Sequence, residues 1–292
     1  MVVNHERILF LYKVSIRYVN IMQDISIRSG NHQQPLIDFR NVTVARDGRR
    51  ILDSISLQIG IGENVAIIGP NGSGKSSLIK TITREYRPLA NSSGLVCRIM
   101  GKERWDVFDL QRSLGIVSGD LQQEYTRDIC GYEAVLSGFF SSIGIYTNHH
   151  VTYEMKCIVQ SVMDLLEISH LRYQMISHMS TGEARRVLIA RALVHDPLAL
   201  VLDEPANSLD LHSLHKFREV MRKIANAGKS IILVTHNLQD IIPEIERVIL
   251  FRNGRIFMDG PKEQILISSN LSQLFGLPVE VQKSDGYYRA WC

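Results

Sequence analysis

Gly69-Pro70-Asn71-Gly72-Ser73-Gly74-Lys75-Ser76 fits the pattern G-x-x-x-x-G-K-[ST], a loop whose successive backbone N–H groups turn inward around a phosphate. Gly69, Gly72 and Gly74 provide backbone angles that a Cβ would forbid. Lys75 brings a point charge to the β/γ-phosphates of a nucleotide, and Ser76 offers a hydroxyl to Mg²⁺. Pro70, Asn71, Ser73 and Ser77 complete the candidate nucleotide-binding stretch. Val65-Ala66-Ile67-Ile68 predicts a buried strand entering the loop, and Ser76 to Ile82 a helix leaving it with its positive end toward the phosphates. A glycine-rich turn with an accidental lysine would lack that flanking strand and helix.

Two further apolar runs end in residues capable of chemistry. Leu198 to Leu202 leads into Asp203-Glu204, and Ser230 to Thr235 leads into His236. Continuous apolar runs, unlike alternating ones, suit parallel strands buried on both faces. Ligands of open α/β sheets bind beyond the carboxyl ends of such strands, so Lys75, Asp203, Glu204 and His236 are expected to converge.

The remaining chain supplies the frame. Leu36–Val44 and Ile51–Ile59 are predicted strands around an Asp47-Gly48 turn, followed by strands at Leu95–Met100 and Leu114–Ser118. From about Tyr125 to Met179 the pattern is helical, with Val151, Met155, Ile158, Val159, Val162, Leu165 and Leu166 on one face. Asn253-Gly254 and Asp285-Gly286 predict two hairpins near the end.

Residues 1–34 differ in texture, and Asn31 to Pro35 suits a linker, so a loosely ordered extension, or a translation start at Met22, is expected. Residues 35–292 are expected to form one nucleotide-binding domain, with a helical subdomain at about 125–180 and a hairpin tail at 263–292. The chain has 292 residues, 45% of them hydrophobic, enough for a full core and without an apolar run of membrane-spanning length. A net charge of +3 is too small to imply nucleic acid. Cys97, Cys130, Cys157 and Cys292 lack metal-ligand or redox spacing and suit a reducing cytosol.

A phosphate loop alone does not separate a kinase, a GTPase and a transport ATPase. The second informative stretch is Met179-Ser180-Thr181-Gly182-Glu183-Ala184-Arg185-Arg186. Ser180 and Glu183 have the spacing of a capping box before a helix at Ala184–Leu193, which is reason enough for the pattern. The same helix start also suits a phosphate.

With these motifs in this order, the stretch from about Leu36 to Gly260 resembles the ATP-binding cassette (ABC) ATPases. Met179–Glu183 is similar to the family signature, Leu198–Asp203 to its Walker B strand, Ala206-Asn207-Ser208-Leu209-Asp210 to its D-loop, and Val234-Thr235-His236 to its switch histidine. Gln122 is the candidate Q-loop glutamine and Gln123 the alternative. The resemblance implies an α/β P-loop NTPase fold of the ABC type: a mixed-sheet core, an antiparallel β subdomain and an inserted helical subdomain.

It further implies ATP and Mg²⁺ as ligands, the metal meeting Ser76, Asp203 and Gln122. Glu204 would orient or deprotonate the attacking water, His236 would contact the γ-phosphate, and Gln122 would report to a partner. Ser180, Thr181, Gly182 and Glu183 of one copy would cover ATP held by a second, so a homodimer or paired cassette around two ATP is expected. Departures from the family pattern are Thr181 for glycine, Glu183 for glutamine and Asn207 for serine. Arg46 stands where an aromatic residue usually stacks on adenine; its guanidinium plane can stack too, or it is an exposed turn residue.

The load driven by ATP is less legible. A single cassette without a membrane span resembles the energy-coupling subunit of a transporter with separate permease chains, peripheral on the cytoplasmic side of the membrane. Leu274 to Val281 is similar to the ends of metal, siderophore and oxyanion (molybdate-type) importer ATPases. Gly138 to Tyr146 is either core or a docking patch for the permease. The alternative is a stand-alone ABC ATPase with a regulatory or mechanical role, against which stand the lack of sustained heptads and of a second cassette.

Overall fold

The computed structural model describes residues 34–90, 93–118 and 129–292. The extension up to residue 33, Met22 included, and both candidate glutamines, Gln122 and Gln123, lie outside the described residues.

β1 (Ile37–Arg46) and β2 (Arg49–Ile59) pair antiparallel across Asp47-Gly48, both in left-handed angles (φ 49° and 74°). That mirror-image turn matches the right-handed twist of the flanking strands. β3 (Val65–Ile68) enters a second sheet, while β4 (Val96–Ile99) returns to the free edge of β1, giving the order β2-β1-β4.

The second sheet adds β5 (Leu114–Val117), β6 (Ala199–Asp203), β7 (Ser230–Thr235), β8 (Arg247–Arg252) and β9 (Arg255–Pro261) in the order β5-β6-β7-β3-β8-β9. All neighbours pair parallel except β8 and β9, joined by the expected Asn253-Gly254 hairpin (φ 50° and 72°). A last hairpin, β10 (Glu280–Ser284) and β11 (Tyr287–Trp291), turns at Asp285-Gly286.

The parallel strands carry continuous apolar runs between polar ends because both sheet faces are covered. Val65 and Ile67 of β3, Val201 of β6 and Val234 of β7 point to a core shared with the antiparallel sheet. Their alternates Ala66, Ile68, Leu202 and Leu233 point to a second core under the helices. Side chains in a strand alternate between faces, so one run feeds both cores.

Eight α-helices are described. α1 (Lys75–Ile82) follows the glycine loop and α2 (Val107–Ser113) precedes β5. α3 (Gly131–Ser137) and α4 (Tyr153–Leu165) lead to α5 (Thr181–Leu193), which follows the Ser180 motif. α6 (Leu211–Asn226) joins β6 to β7, and α7 (Lys262–Ile265) and α8 (Ser268–Phe275) precede the last hairpin.

The helical expectation for 125–179 needs two corrections. Residues 141–152 are irregular, Gly144 taking a left-handed angle (φ 92°), so α3 and α4 are separate. On α4 the apolar face buries Val159 and Val162, with Leu166 just beyond, each contributing roughly 1.5–3 kcal/mol of burial. Leu165, however, is exposed, because it lies one step of about 100° round the helix from Leu166. The Gly138–Tyr146 segment divides as well. Phe139 packs on the core, Phe140 stacks on His149 with centroids 4.1 Å apart, and Tyr146 is exposed.

Candidate nucleotide site

The strand order decides which side chains can meet. β3 lies beside β7, and β7 beside β6, so the carboxyl ends of these three strands adjoin. Lys75, His236 and Glu204 follow those ends. Lys75 Nζ is 3.6 Å from Glu204 Oε1, and His236 Nδ1 is 2.8 Å from Glu204 Oε2. The convergence expected from the apolar runs is therefore present for these three. Asp203 is the last residue of β6, immediately before Glu204.

The loop is shaped by close backbone approach. Gly74 sits at φ 105°, with Ile51 O 3.0 Å from where a Cβ would lie. Gly69 is a different case: its φ lies outside the left-handed region, but a Cβ would come within 2.2 Å of Phe251 O. Steric contact with β8, rather than dihedral freedom, requires glycine there. Gly254 N–H donates to Ser73 O at 2.7 Å, so the β8–β9 turn buttresses the loop from behind.

α1 starts at Gly74 without a side-chain cap, leaving its first N–H groups for an external acceptor. Lys75 is 5% exposed and donates to Gly69 O at 2.7 Å and Pro70 O at 3.1 Å. Burial pulls its ammonium below the usual lysine range, while Glu204 and Asp203 push it back up. A phosphate oxygen is a stronger, charged acceptor for the same ammonium.

Glu204 is itself held in an unusual backbone. Its φ is 48° and its N–H donates to Val234 O at 2.8 Å, which turns the carboxylate toward β7. A non-glycine residue in left-handed angles costs of order 1 kcal/mol or more and calls for a reason.

The second motif forms the capping box that its spacing predicts. Ser180 Oγ accepts the Glu183 N–H at 3.3 Å, and Glu183 Oε2 accepts the Ser180 N–H at 2.9 Å and its hydroxyl at 2.8 Å. Those bonds hold the Glu183 carboxyl below the usual range. Thr181 is exposed. Gly182 packs on Ser213, whose Oγ lies 2.6 Å from where a Cβ would be. Asp210 caps α6 by accepting the Ser213 N–H at 2.7 Å, so the two motifs share one contact. A cavity of about 470 Å³, lined in part by His170, Ser180, Glu183, His212 and Ser213, opens beside them, away from Lys75.

Arg46 is exposed and donates to Tyr86 Oη at 2.8 Å. The sequence pattern does not single out Tyr86, Phe251 or Asp240, nor give Thr235 a role beyond leading into His236. Yet Phe251 backs the loop, Tyr86 holds Arg46, and Thr235 and Asp240 lie beside Glu204. Thr235 and Asp240 carry no pattern beyond their nearness to His236.

The donor chemistry bears on the metal. Among the described residues no group of three or more His, Cys, Asp or Glu gathers to hold an ion. Ser76 and Asp203 offer a hydroxyl and a carboxylate, the sparse oxygen set that Mg²⁺ takes when phosphate and water complete its shell.

Comparison with known proteins identifies the family. The family model described as ABC transporter matches residues 52–207. The uncharacterized ABC transporter ATP-binding protein YlmA of Bacillus subtilis is 32% identical over 249 residues, covering 84% of this chain and 93% of the relative. The hemin import ATP-binding protein HmuV of Bradyrhizobium diazoefficiens is 28% identical, covering 86% and 92%. Among solved structures, the dimeric post-hydrolysis state of the ATP-binding cassette MJ0796 bound to ADP and Pi superposes with a TM-score of 0.62 at 24% identity, covering 77% of this chain and 98% of the other. With a third of the residues shared with YlmA across most of both chains, and the cassette fold around the glycine loop, the protein belongs to the ABC transporter family as an ATP-binding subunit.

Proposed function

We propose that the chain hydrolyses ATP held by residues 69–77 and that two copies close around two nucleotides to drive transport through separate membrane subunits. The observation that carries this reading is the meeting of Lys75, Glu204 and His236 at three adjoining strand ends. In it, Lys75 and the open N–H groups of α1 bind the triphosphate, and the Ser76 hydroxyl and Asp203 carboxylate would hold Mg²⁺. When bound, that ion neutralises developing charge on the phosphate oxygens.

Glu204 faces the same space as Lys75 and accepts a proton from the attacking water. Such general-base help is worth ~10²–10⁴-fold. His236, bonded to Glu204 through Nδ1, leaves Nε2 for the γ-phosphate. Ser180, Thr181, Gly182 and Glu183 lie on the α5 start, which would meet the nucleotide of the second copy, with Asp210 fixing the neighbouring loop. Arg46 is assigned to the base. Gln122 is assigned to the metal side and to reporting to the permease.

The HmuV relative is a hemin import ATP-binding protein by its name, which supports import of a metal-containing or other bulky polar solute here. Among the described residues no helix is long and apolar enough to cross a membrane, so attachment through a separate permease fits the ABC subunit role. The working location is then the cytoplasmic face of the membrane, with residues 35–292 acting as one nucleotide-binding domain.

The test is assembly of the Glu204→Gln variant with Mg-ATP. Light scattering is expected to show dimer at saturating ATP and monomer without it; monomer under both conditions rejects the paired site. Purification from solubilised membranes is expected to bring down an integral permease, and recovery of the chain alone favours the stand-alone ATPase.

A further inference from the structure

Across Thr235 from Glu204 lies a second carboxyl group, that of Asp240, which has no direct part in binding or hydrolysing the nucleotide. Asp240 ends the 3₁₀ turn Leu238–Asp240 and is 2% exposed. Its Oδ2 is 2.6 Å from Thr235 Oγ1, and its Oδ1 has no hydrogen-bond partner among the described residues. Thr235, wholly buried, ends β7. The same Oγ1 accepts the Asn237 N–H at 3.0 Å and lies 3.4 Å from Glu204 Oε2. Glu204 Oε2 also meets the His236 N–H at 3.4 Å and Nδ1 at 2.8 Å.

A threonine hydroxyl has one hydrogen and two lone pairs. Asn237 occupies one lone pair. The other lone pair and the hydrogen are divided between Asp240 and Glu204, and only two divisions exist. With Asp240 ionised, both carboxylates compete for the hydrogen, which goes to Asp240 Oδ2 at 2.6 Å rather than to Glu204 Oε2 at 3.4 Å, and Glu204 faces a lone pair. With Asp240 protonated, its O–H donates to Thr235, and the Thr235 hydrogen turns to Glu204.

We infer that Asp240 is a positioning residue for Glu204: through Thr235 it decides whether that carboxylate receives a hydrogen bond, and hence how strongly it draws a proton from water. The inference rests on the reading of Glu204 as the base. A carboxylate that accepts one more hydrogen bond holds its charge more comfortably and is a weaker base.

The surroundings put this exchange within reach. Burial pushes the Asp240 carboxyl up to about 6, against the pull of the Thr235 hydroxyl; the Glu204 charge adds to the rise, and Arg218 and His236 oppose it. Those groups come from each element around it. Glu204 follows β6 and His236 follows β7. Arg218 of α6 donates to Gln239 O at 2.7 Å, with Tyr287 and Arg289 of β11 on its other side.

The test compares ATP turnover by the full chain and by Asp240→Asn across pH values on both sides of about 6, with kcat and KM resolved. The amide Nδ2 donates to Thr235 at every pH, as the protonated acid does, and so fixes the hydrogen on Glu204. The variant is expected to match the unmodified chain on the acid side. On the alkaline side it falls behind by about tenfold in kcat with KM held, the scale of one hydrogen bond to a charged group. A ratio of the two rates that does not change with pH overturns the inference.

Should Asp240→Asn fail to fold, the Asp240 carboxyl is titrated by carbon-detected NMR, without nucleotide, in the unmodified chain and in Thr235→Val. Loss of the hydroxyl is expected to move that titration upward, and an unmoved titration overturns the coupling. Failure of the broader reading is separate: it shows as turnover that Glu204→Gln does not diminish.

Discussion

The helix starts of α1 and α5 carry the two most informative motifs of the chain, and they are finished in opposite ways. α1 begins at a left-handed glycine with no side-chain cap, so its first N–H groups await an acceptor. α5 begins with a closed capping box in which Ser180 and Glu183 satisfy one another. The first start is left open toward its own glycine loop. The second is complete as it stands, and Ser180 must turn its hydroxyl away from Glu183 to serve a phosphate on another chain. Under the proposed function, one end would bind at once, while the other would contribute only when a bound nucleotide offers something better than Glu183.

The largest effects fall on the open end. Lys75→Ala is expected to abolish ATP binding and turnover together, since among the described residues no second buried cation lines the loop. Glu204→Gln is expected to keep ATP bound and slow turnover ~10²–10⁴-fold. Single-turnover hydrolysis measured beside equilibrium nucleotide binding separates the two, and equal loss of binding in both would break the distinction between holding and reacting.

A smaller effect belongs to the closed end. Ser180→Ala removes the cap of α5 and is expected to cost ~0.5–2 kcal/mol of stability in urea unfolding. ATP affinity of the isolated monomer should stay where it was. If monomer affinity fell as well, the two helix starts would not be independent.

That independence also governs how much of the molecule was legible in the sequence. The glycine loop, the apolar runs and the hairpin turns carry their geometry in local chemistry, so β3, β6, β7 and the Asn253-Gly254 turn are found where the pattern puts them. The capping box was equally plain from Ser180 and Glu183. Long-range contacts were not. That Gly69 is glycine because Phe251 O lies against it depends on β8 pairing with β3. That Asp240 reaches Thr235 depends on a 3₁₀ turn with no periodic signal. Leu165 had the hydrophobicity of its neighbours and the wrong angle round α4.

Glu183 gives the next sharpening. Its folded carboxyl titrates below the ordinary 4.5, chiefly through the bonds with Ser180. The stability it contributes is therefore fully present above 4.5 and is lost as pH falls through the lowered value. In Glu183→Gln that acid-side loss should shrink, as followed by thermal unfolding at a series of acid pH values. The same substitution removes a negative charge from the helix start that would face a triphosphate. Sedimentation with ATP in a Glu204→Gln background is expected to show a tighter dimer, and a weaker one would mean that Glu183 is needed for its charge.

The smallest predicted effect, at Arg46, separates the base from the phosphates at the open end. Its side chain is 64% exposed and its guanidinium is directed by Tyr86 Oη at 2.8 Å. A cation stacked on an aromatic plane at an exposed site is worth about 0.5–1 kcal/mol, so Arg46→Ala should weaken ATP binding about two- to fivefold. Inorganic tripolyphosphate offers the same charge to Lys75 and has no base, so its affinity should not change. Equal weakening of both ligands would show Arg46 acting as a general positive charge near the loop, and no weakening of either would leave it a turn residue paired with Asp47. Only a loss confined to ATP assigns it to the base, and that loss should appear in the monomer, before any second α5 start has arrived.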